Sequence, residues 1–391
     1  MNIVFITRDK YDRTPLSHVN LSEMNFYIFC LKKHELTFEI FNNVKSYDKF
    51  DDELDKDIIL LNSNSKIDRI FVFDERDIER AANLRSVLNI KGLKIEEAKI
   101  FRNKNLMKIK IESCGFKTPE YKMINTFEEL ESFIRNKDYP LILKPVDGLS
   151  SIGVKKISSF EEYNEIKEEV SLPCLIEEYI DGDMFHIDGI VDNGEVIFKS
   201  VTKYITQPLE YTNGLGLNSM LLPNSDPMFL LLSEYTDRIT NILNFDEQSI
   251  FHLEVFFVKE EILFCEIACR AGGGNITKMI EIAYGVNIEK EYIELSLGRN
   301  ITSNILNNNS QYYLKTNYLN KEGVLSKPIK DPMFSWCVHF EFTGKVNKYY
   351  TAPQNYFDYY AQSIIKSEKK KDLNNKYFIL LKYIEKQKIW R

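Results

Sequence analysis

The chain has 391 residues, 44% hydrophobic and 28% charged, a balance that excludes wholesale disorder and suggests two to three domains. The formal net charge of −7, with no large basic domain, argues against a dedicated nucleic-acid binder but leaves room for a local anion pocket. Met1 to Ile6 form a short apolar run without a cationic lead, closed by Arg8, Asp9 and Lys10, and read as a first strand rather than a signal peptide. No apolar stretch reaches roughly 18 residues, so no membrane span is expected. The six cysteines are scattered with no Cys-x-x-Cys pair, which suits a reduced, cytoplasmic protein.

Along residues 1–101, short apolar runs alternate with helical patterns. Ile58 to Leu61 and Ile70 to Phe73 read as buried strands. Ile78 to Leu88 reads as a helix with Ala81, Ala82, Leu84 and Val87 as its apolar positions. This alternation predicts a parallel α/β layer. Residues 102–300 open with a helix over Lys104 to Cys114, stopped at Gly115. Thr126 caps another helix, with Glu129 at the capping-box position. A strand over Leu141 to Pro145 leads into a loop at 147–153, a helix from Ser159 to Val170 and a strand from Cys174 to Ile180. Asp192-Asn193-Gly194 is a hairpin turn. Residues 202–226 read as a long surface loop, 227–244 as a helix, and 251–258 with 262–267 as two strands before the cluster Ala271-Gly272-Gly273-Gly274. Residues 301–391 carry no motif. The fold class is therefore α/β in part and α+β overall.

Three segments carry chemistry. Asp147-Gly148-Leu149-Ser150-Ser151-Ile152-Gly153 follows Lys144-Pro145 directly. Glycines let backbone N–H groups approach phosphate oxygens, and Lys144 adds a point charge; an ordinary hairpin is the alternative. Glu177-Glu178-Tyr179-Ile180 could offer backbone groups to a purine edge, and could equally be solvated. In the third, His252, Glu254, Phe256 and Val258 share one strand face, and Ile262, Phe264, Glu266 and Ala268 share one face of the next. With Lys259-Glu260-Glu261 as a three-residue turn, Val258 opposes Ile262, Phe256 opposes Phe264, and Glu254 opposes Glu266. Opposed carboxylates about 5 Å apart at Cβ repel unless a proton or cation lies between them, and oxygen ligands suit Mg²⁺. The alternative is a register off by one, with one glutamate in solvent. Arg270, on the adjoining glycine segment, could bind a phosphate or carboxylate with its forked guanidinium.

In order and spacing, these segments over about residues 70–295 resemble the ATP-grasp superfamily, in particular its carboxylate–amine ligase branch, which includes bacterial L-amino-acid ligases and D-alanine–D-alanine ligase. The resemblance implies an N-terminal Rossmann-like domain at 1–101, an ATP-grasp region at 102–300 with a small lid at about 115–180, and 301–391 as its C-terminal part or an appended subdomain. It implies ATP contacts at Lys104, Lys144, Gly148, Ser150, Ser151, Gly153, Glu177, Glu178, Tyr179, Ile180 and Asp183. Glu254 and Glu266 are the implied ligands for Mg²⁺, with Mn²⁺ as an alternative. Arg270, Lys203 and His252 are the implied γ-phosphate or substrate cations. Asn103 replaces the family's usual aspartate before the first lysine, and Ala268 replaces its usual third metal ligand, an asparagine, unless Asn275 or water substitutes.

The implied activity is ATP-dependent amide or peptide bond formation through an acyl phosphate, on small carboxylate and amine substrates. The loop at 147–153 and the segment 202–226 are the expected lids. Dimers are common among such relatives. Two rival readings remain: ATP-dependent phosphorylation of bicarbonate, and a non-catalytic nucleotide-binding protein, to which Ala268 gives some footing.

Overall fold

The computed structural model describes residues 1–22, 24–149, 151–206, 216–243, 245, 247–301, 308–353 and 358–391. The N-terminal layer is a parallel sheet of β1 (Asn2–Thr7), β2 (Asn25–Leu31), β3 (Asn43–Tyr47) and β4 (Arg69–Val72), in the order β3-β2-β1-β4. β1, β2 and β4 are near-continuous apolar runs because both faces are covered, while the edge strand β3 is mostly polar. One cover is α1 (Asp52–Asn64), which contains Ile58 to Leu61. This corrects the expected strand. Asp51 accepts from the Glu53 N–H, three acids occupy the first turn, and Leu54 and Ile58, one helical turn apart, face the core while Leu60 is 61% exposed. α2 (Ile78–Val87) follows β4 as expected.

Next come α3 (Ile95–Arg102) and α4 (Lys104–Ser113). Asn103 stands between them and its Oδ1 accepts from the N–H groups of Asn105 and Leu106, both at 3.0 Å. Asparagine and aspartate cap equally well, so the departure at Asn103 keeps the helix start intact. A second, antiparallel sheet has the order β5-β8-β6-β7, from β5 (Tyr121–Ile124), β6 (Leu141–Pro145), β7 (Lys155–Ile157) and β8 (Cys174–Glu178). α5 (Phe127–Arg135), capped by Thr126, and α6 (Phe160–Ile166) pack their apolar residues on it.

The largest element is an eight-stranded sheet in the order β13-β12-β9-β10-β11-β14-β18-β16. Its strands are β9 (Asp183–Asp192), β10 (Glu195–Tyr204), β11 (Ser219–Leu221), β12 (Gln248–Val258), β13 (Glu261–Ala268), β14 (Tyr312–Leu319), β16 (Cys337–Phe342) and β18 (Tyr359–Ser367), while β15 (Gly323–Val324) and β17 (Tyr349–Tyr350) pair separately. β14, β16 and β18 thus continue the sheet begun by β9 to β13. The segment 202–226 is not one long loop: β10 runs to Tyr204 and β11 begins at Ser219, while 207–215 lie outside the described residues. One face, with Phe185, Ile187, Phe251 and Leu253, is covered by α7 (Pro227–Ile242) and α10 (Lys370–Lys386). The other carries the polar row of the site and, beyond it, packs on α8 (Ile276–Tyr284) and α9 (Ile288–Ser296).

The helical placement of α1 makes a direct prediction. Ile58→Ala should cost about 2–4 kcal/mol and Leu60→Ala under about 0.5 kcal/mol in urea denaturation. Equal costs would contradict the helix.

Candidate active site

Strand parity builds the site. On β9, Met184, His186 and Asp188 face one way; on β12, His252, Glu254 and Phe256 face the same way, and the ladder pairs His252 with Asp188 and Glu254 with His186. On the other side of β12, Glu254 pairs with Glu266 and His252 with Ala268. The expected opposition of the two glutamates is present, but by a different route. The turn is Lys259-Glu260, two residues with φ of 48° and 64°, so Val258 pairs with Glu261 and Phe256 with Leu263. Such left-handed pairs match the strand twist, and here non-glycine residues accept the backbone cost. A bulge at Cys265 then shifts β13 by one residue and returns Glu266 to Glu254.

The two carboxylates are held differently. The Tyr204 hydroxyl donates to Glu254 Oε1 at 2.7 Å, and His252 Nε2 lies 3.4 Å from the same oxygen. Lys104 Nζ lies 3.2 Å from Glu266 Oε2 and donates to the Gly148 carbonyl at 2.7 Å. Burial raises the Glu266 carboxyl, but Lys104 and Lys144 outweigh it and hold the group well below its ordinary value. This oxygen donor set, with space beside it for phosphate oxygens, fits a hard divalent cation such as Mg²⁺ or Mn²⁺. Asn275 does not join it: its amide donates to Gln362 at 2.5 Å, and it lines neither cavity described below.

A slot of 110 Å³ opens on one side of the glutamate pair, lined by Lys104, Ile142, Lys144, Gly148, Ser151, Glu177 to Ile180, Met184, Cys265 and both glutamates. Gly153, with φ of 76°, closes the loop above it, and a Cβ there would come within 2.9 Å of Pro145. Ser150 lies outside the described residues. Beneath the slot, Glu177 is buried between Lys144 at 2.9 Å and Lys108 at 3.3 Å. Burial penalises both lysines. Glu177 nevertheless holds Lys144 above its ordinary value, while the fully buried Lys108 stays below its own. Lys108 carried no expectation, although it lies one helical turn from Lys104.

The second cavity, of 490 Å³, lies on the other side of the glutamates. Its floor is Tyr204, His252, Glu254, Glu266, Arg270 and Gly272 to Gly274, and its far wall is Thr7, Asp9, Phe73, Asp74, Glu75, Arg76 and Glu289. Thr7 and Phe73 sit at or just past the carboxyl ends of β1 and β4, where ligands collect in open parallel sheets; that rule is the signal for Glu75, which no motif marks. Glu75 is buried and ion-pairs with both Arg102 and Arg270, the latter at 2.5 Å. Burial lowers the Arg270 guanidinium, but Glu75 outweighs it and holds the group above its ordinary value. His252 donates through Nδ1 to Asp188 at 2.9 Å, and despite burial this carboxylate raises the imidazole to about 10.

Two expected residues lie elsewhere. Lys203 pairs across the ladder with Phe185 on the opposite sheet face and is ion-paired with Asp183 at 2.5 Å; neither residue lines either of these two cavities. Tyr204, one residue on, is the member of β10 that points inward.

Residues 137–279 match the ATP-grasp domain family. Over those residues the chain is similar to ATP-grasp domains. The match is 27% identical over 63% of this chain and 62% of an L-arginine-specific L-amino acid ligase of Bacillus subtilis. It is 24% identical over 64% of this chain and 58% of an alanine–anticapsin ligase of the same organism. The chain thus spans about 60% of the length of these curated relatives. An L-amino acid ligase from Bacillus licheniformis superposes with a TM-score of 0.79 over 98% of this chain and 97% of that one, at 16% identity, which shows a shared ATP-grasp fold. The N-terminal parallel sheet, the small antiparallel sheet and the large C-terminal sheet are its three parts.

Glu177 supplies a test of the buried charges. Glu177→Gln strands two buried lysines and should cost about 3–5 kcal/mol. Lys108→Met leaves Glu177 paired with Lys144 and should cost about 1 kcal/mol or less. Chemical denaturation of both variants reads the difference.

Proposed function

We propose that the protein is an ATP-dependent carboxylate–amine ligase that joins an amino acid, or another small carboxylic acid, to an amine. The observation that carries this reading is the glutamate pair standing between two cavities, a narrow one and one of 490 Å³. The narrow slot suits the base and phosphates of ATP, with Lys104 and Lys144 against the phosphate charge and the Glu177 to Ile180 segment beside the purine. A divalent cation on Glu254 and Glu266 would supply charge neutralisation for the triphosphate. The large cavity then takes the carboxylate and the amine.

In the proposed reaction a substrate carboxylate oxygen bonds to the γ-phosphorus as the bond to ADP breaks, giving an acyl phosphate. The amine nitrogen then bonds to the acyl carbon, phosphate leaves, and the nitrogen loses a proton. Arg270 and His252 present positive charge to the carboxylate and the transferring phosphoryl group. Leu149, Ser151 and Ile152 of the 147–153 loop line the cavity and shield the acyl phosphate from water. At the far wall, Asp9 and Glu289 make no hydrogen bond or ion pair through their carboxylates among the described residues, which suits a substrate ammonium or guanidinium. The curated relatives that act on amino acids support this choice of substrate class.

An ADP-release screen with Mg²⁺, amino acids in pairs, and amino acids with other carboxylic acids tests the reading. Turnover should need both a carboxylate and an amine. Stimulation by bicarbonate alone would favour a carboxylase, and tight ATP binding without ADP release under every condition would favour a non-catalytic protein. Glu266→Gln and Lys144→Met should each lower turnover by at least a hundredfold while circular dichroism stays unchanged; turnover near the wild-type rate in either variant would sink the assignment. Methionine is the better probe at 144 because it keeps the buried stem.

Glu289 gives a pH signature. Burial, then Asp9, push its carboxyl from 4.5 up to about 7 despite Arg270. Between those values the folded state binds more protons than the unfolded one, so stability falls as pH rises through this window, and the penalty is complete above 7. Glu289→Gln should therefore stabilise the protein by about 1–3 kcal/mol more at pH 8 than at pH 5.

A further inference from the structure

Two buried, oppositely charged side chains that the proposed chemistry does not use lie beneath the glycine turn. Asp188, on β9, is 0% exposed, and its carboxylate accepts from His186 Nδ1 at 2.7 Å, His252 Nδ1 at 2.9 Å and the Gly272 N–H at 3.0 Å. Lys315, on β14, is 1% exposed, and its Nζ donates to the Gly274 carbonyl at 2.5 Å. The turn is therefore gripped at both ends by charges rooted in two different strands of the same sheet. At the second grip and just past it the chain takes left-handed φ at Gly274 and Asn275, 63° and 65°, and then enters α8. Gly272, Gly273 and Gly274 all line the large cavity.

We propose that Asp188 and Lys315 are positioning residues that fix the glycine turn 272–274 and so set the affinity for the substrate in the large cavity. The inference rests on the reading of that cavity as the substrate site. Three consecutive glycines have the greatest backbone freedom of any tripeptide, and untethered they would lose it each time a ligand bound. Charge-assisted hydrogen bonds at both ends remove that freedom before binding. Fold stability alone is a weak reason to bury these groups, because buried charges are commonly replaced by apolar residues at no net cost. The close approach at Gly272 belongs to the same device: a Cβ there would meet Asp188 Oδ1 at 2.7 Å and His252 Nδ1 at 2.8 Å.

Lys315→Met removes the donor and keeps the apolar stem, so it is the first variant to make; Gly272→Ala disturbs the turn from the other end without removing a charge. Amide exchange across 272–275 should accelerate at least tenfold in Lys315→Met, with β12 unchanged. With the amino acid selected by the ADP screen, its KM should rise at least tenfold in both variants while the KM for ATP stays within twofold. Exchange within twofold of wild type overturns the proposal. So does accelerated exchange with an unmoved amino-acid KM, or a KM for ATP that rises in parallel. If the wild-type protein releases no ADP with any amino acid, the substrate reading of the cavity falls, and the clamp is judged on exchange alone.

Discussion

Two carboxylates on neighbouring strands, directly opposed, are the constraint around which the rest of the molecule is arranged. Glu254 and Glu266 would repel at this separation, and folding brings them together only because positive and hydrogen-bonding groups converge on them. Those groups come from different parts of the chain: Lys104 from the start of α4, Tyr204 from the end of β10, and His252 from the same strand as Glu254. The bulge at Cys265 is what makes the opposition compatible with a tight two-residue turn. A sheet without the bulge would place Cys265, not Glu266, across from Glu254.

The same logic joins the three parts of the fold. Glu75, carried by the N-terminal layer, takes Arg102 from α3 and Arg270 from the end of β13. Glu177, carried by the small sheet, takes Lys108 from α4 and Lys144 from its own sheet. Each junction is a buried acid shared by two bases, which suits parts that must keep one relative geometry around a charged ligand. Such clusters add little to stability when complete but are costly to break, so they act on alignment more than on folding energy.

What the sequence revealed follows from where periodicity and local chemistry decide structure. The helix over Lys104 to Ser113, the cap at Thr126 and the strand pair bearing the glutamates were legible because each is fixed within a few residues. Ile58 to Leu61 misled because a short apolar run has no period, and only the preceding Asp51 and the acidic first turn separate helix from strand. Lys203 misled by one residue: on a strand that error moves a side chain to the opposite face, and Tyr204 takes the inward position. Glu75 and Asp188 were invisible as motifs because the partners that tie them to the glycine segment, Arg270 and Gly272, lie 195 and 84 residues away in the chain. Of Asp188, only the alternation Phe185-His186-Ile187-Asp188 gave a sign, two polar residues on one face of an otherwise apolar strand.

The alanine at 268 is better understood from its partner than from its own side chain. Ala268 pairs with His252, so an amide there would share its place in the sheet with the imidazole. Asp188 pins that ring from beneath through Nδ1, leaving Nε2 directed at Glu254. Ala268 therefore borders an imidazole whose proton Asp188 helps to hold. The imidazole, 3.4 Å from Glu254, offsets part of the repulsion between the two glutamates. Position 268 and the His252–Asp188 pair are therefore one local arrangement, in which the small methyl group leaves the ring its place beside Glu254.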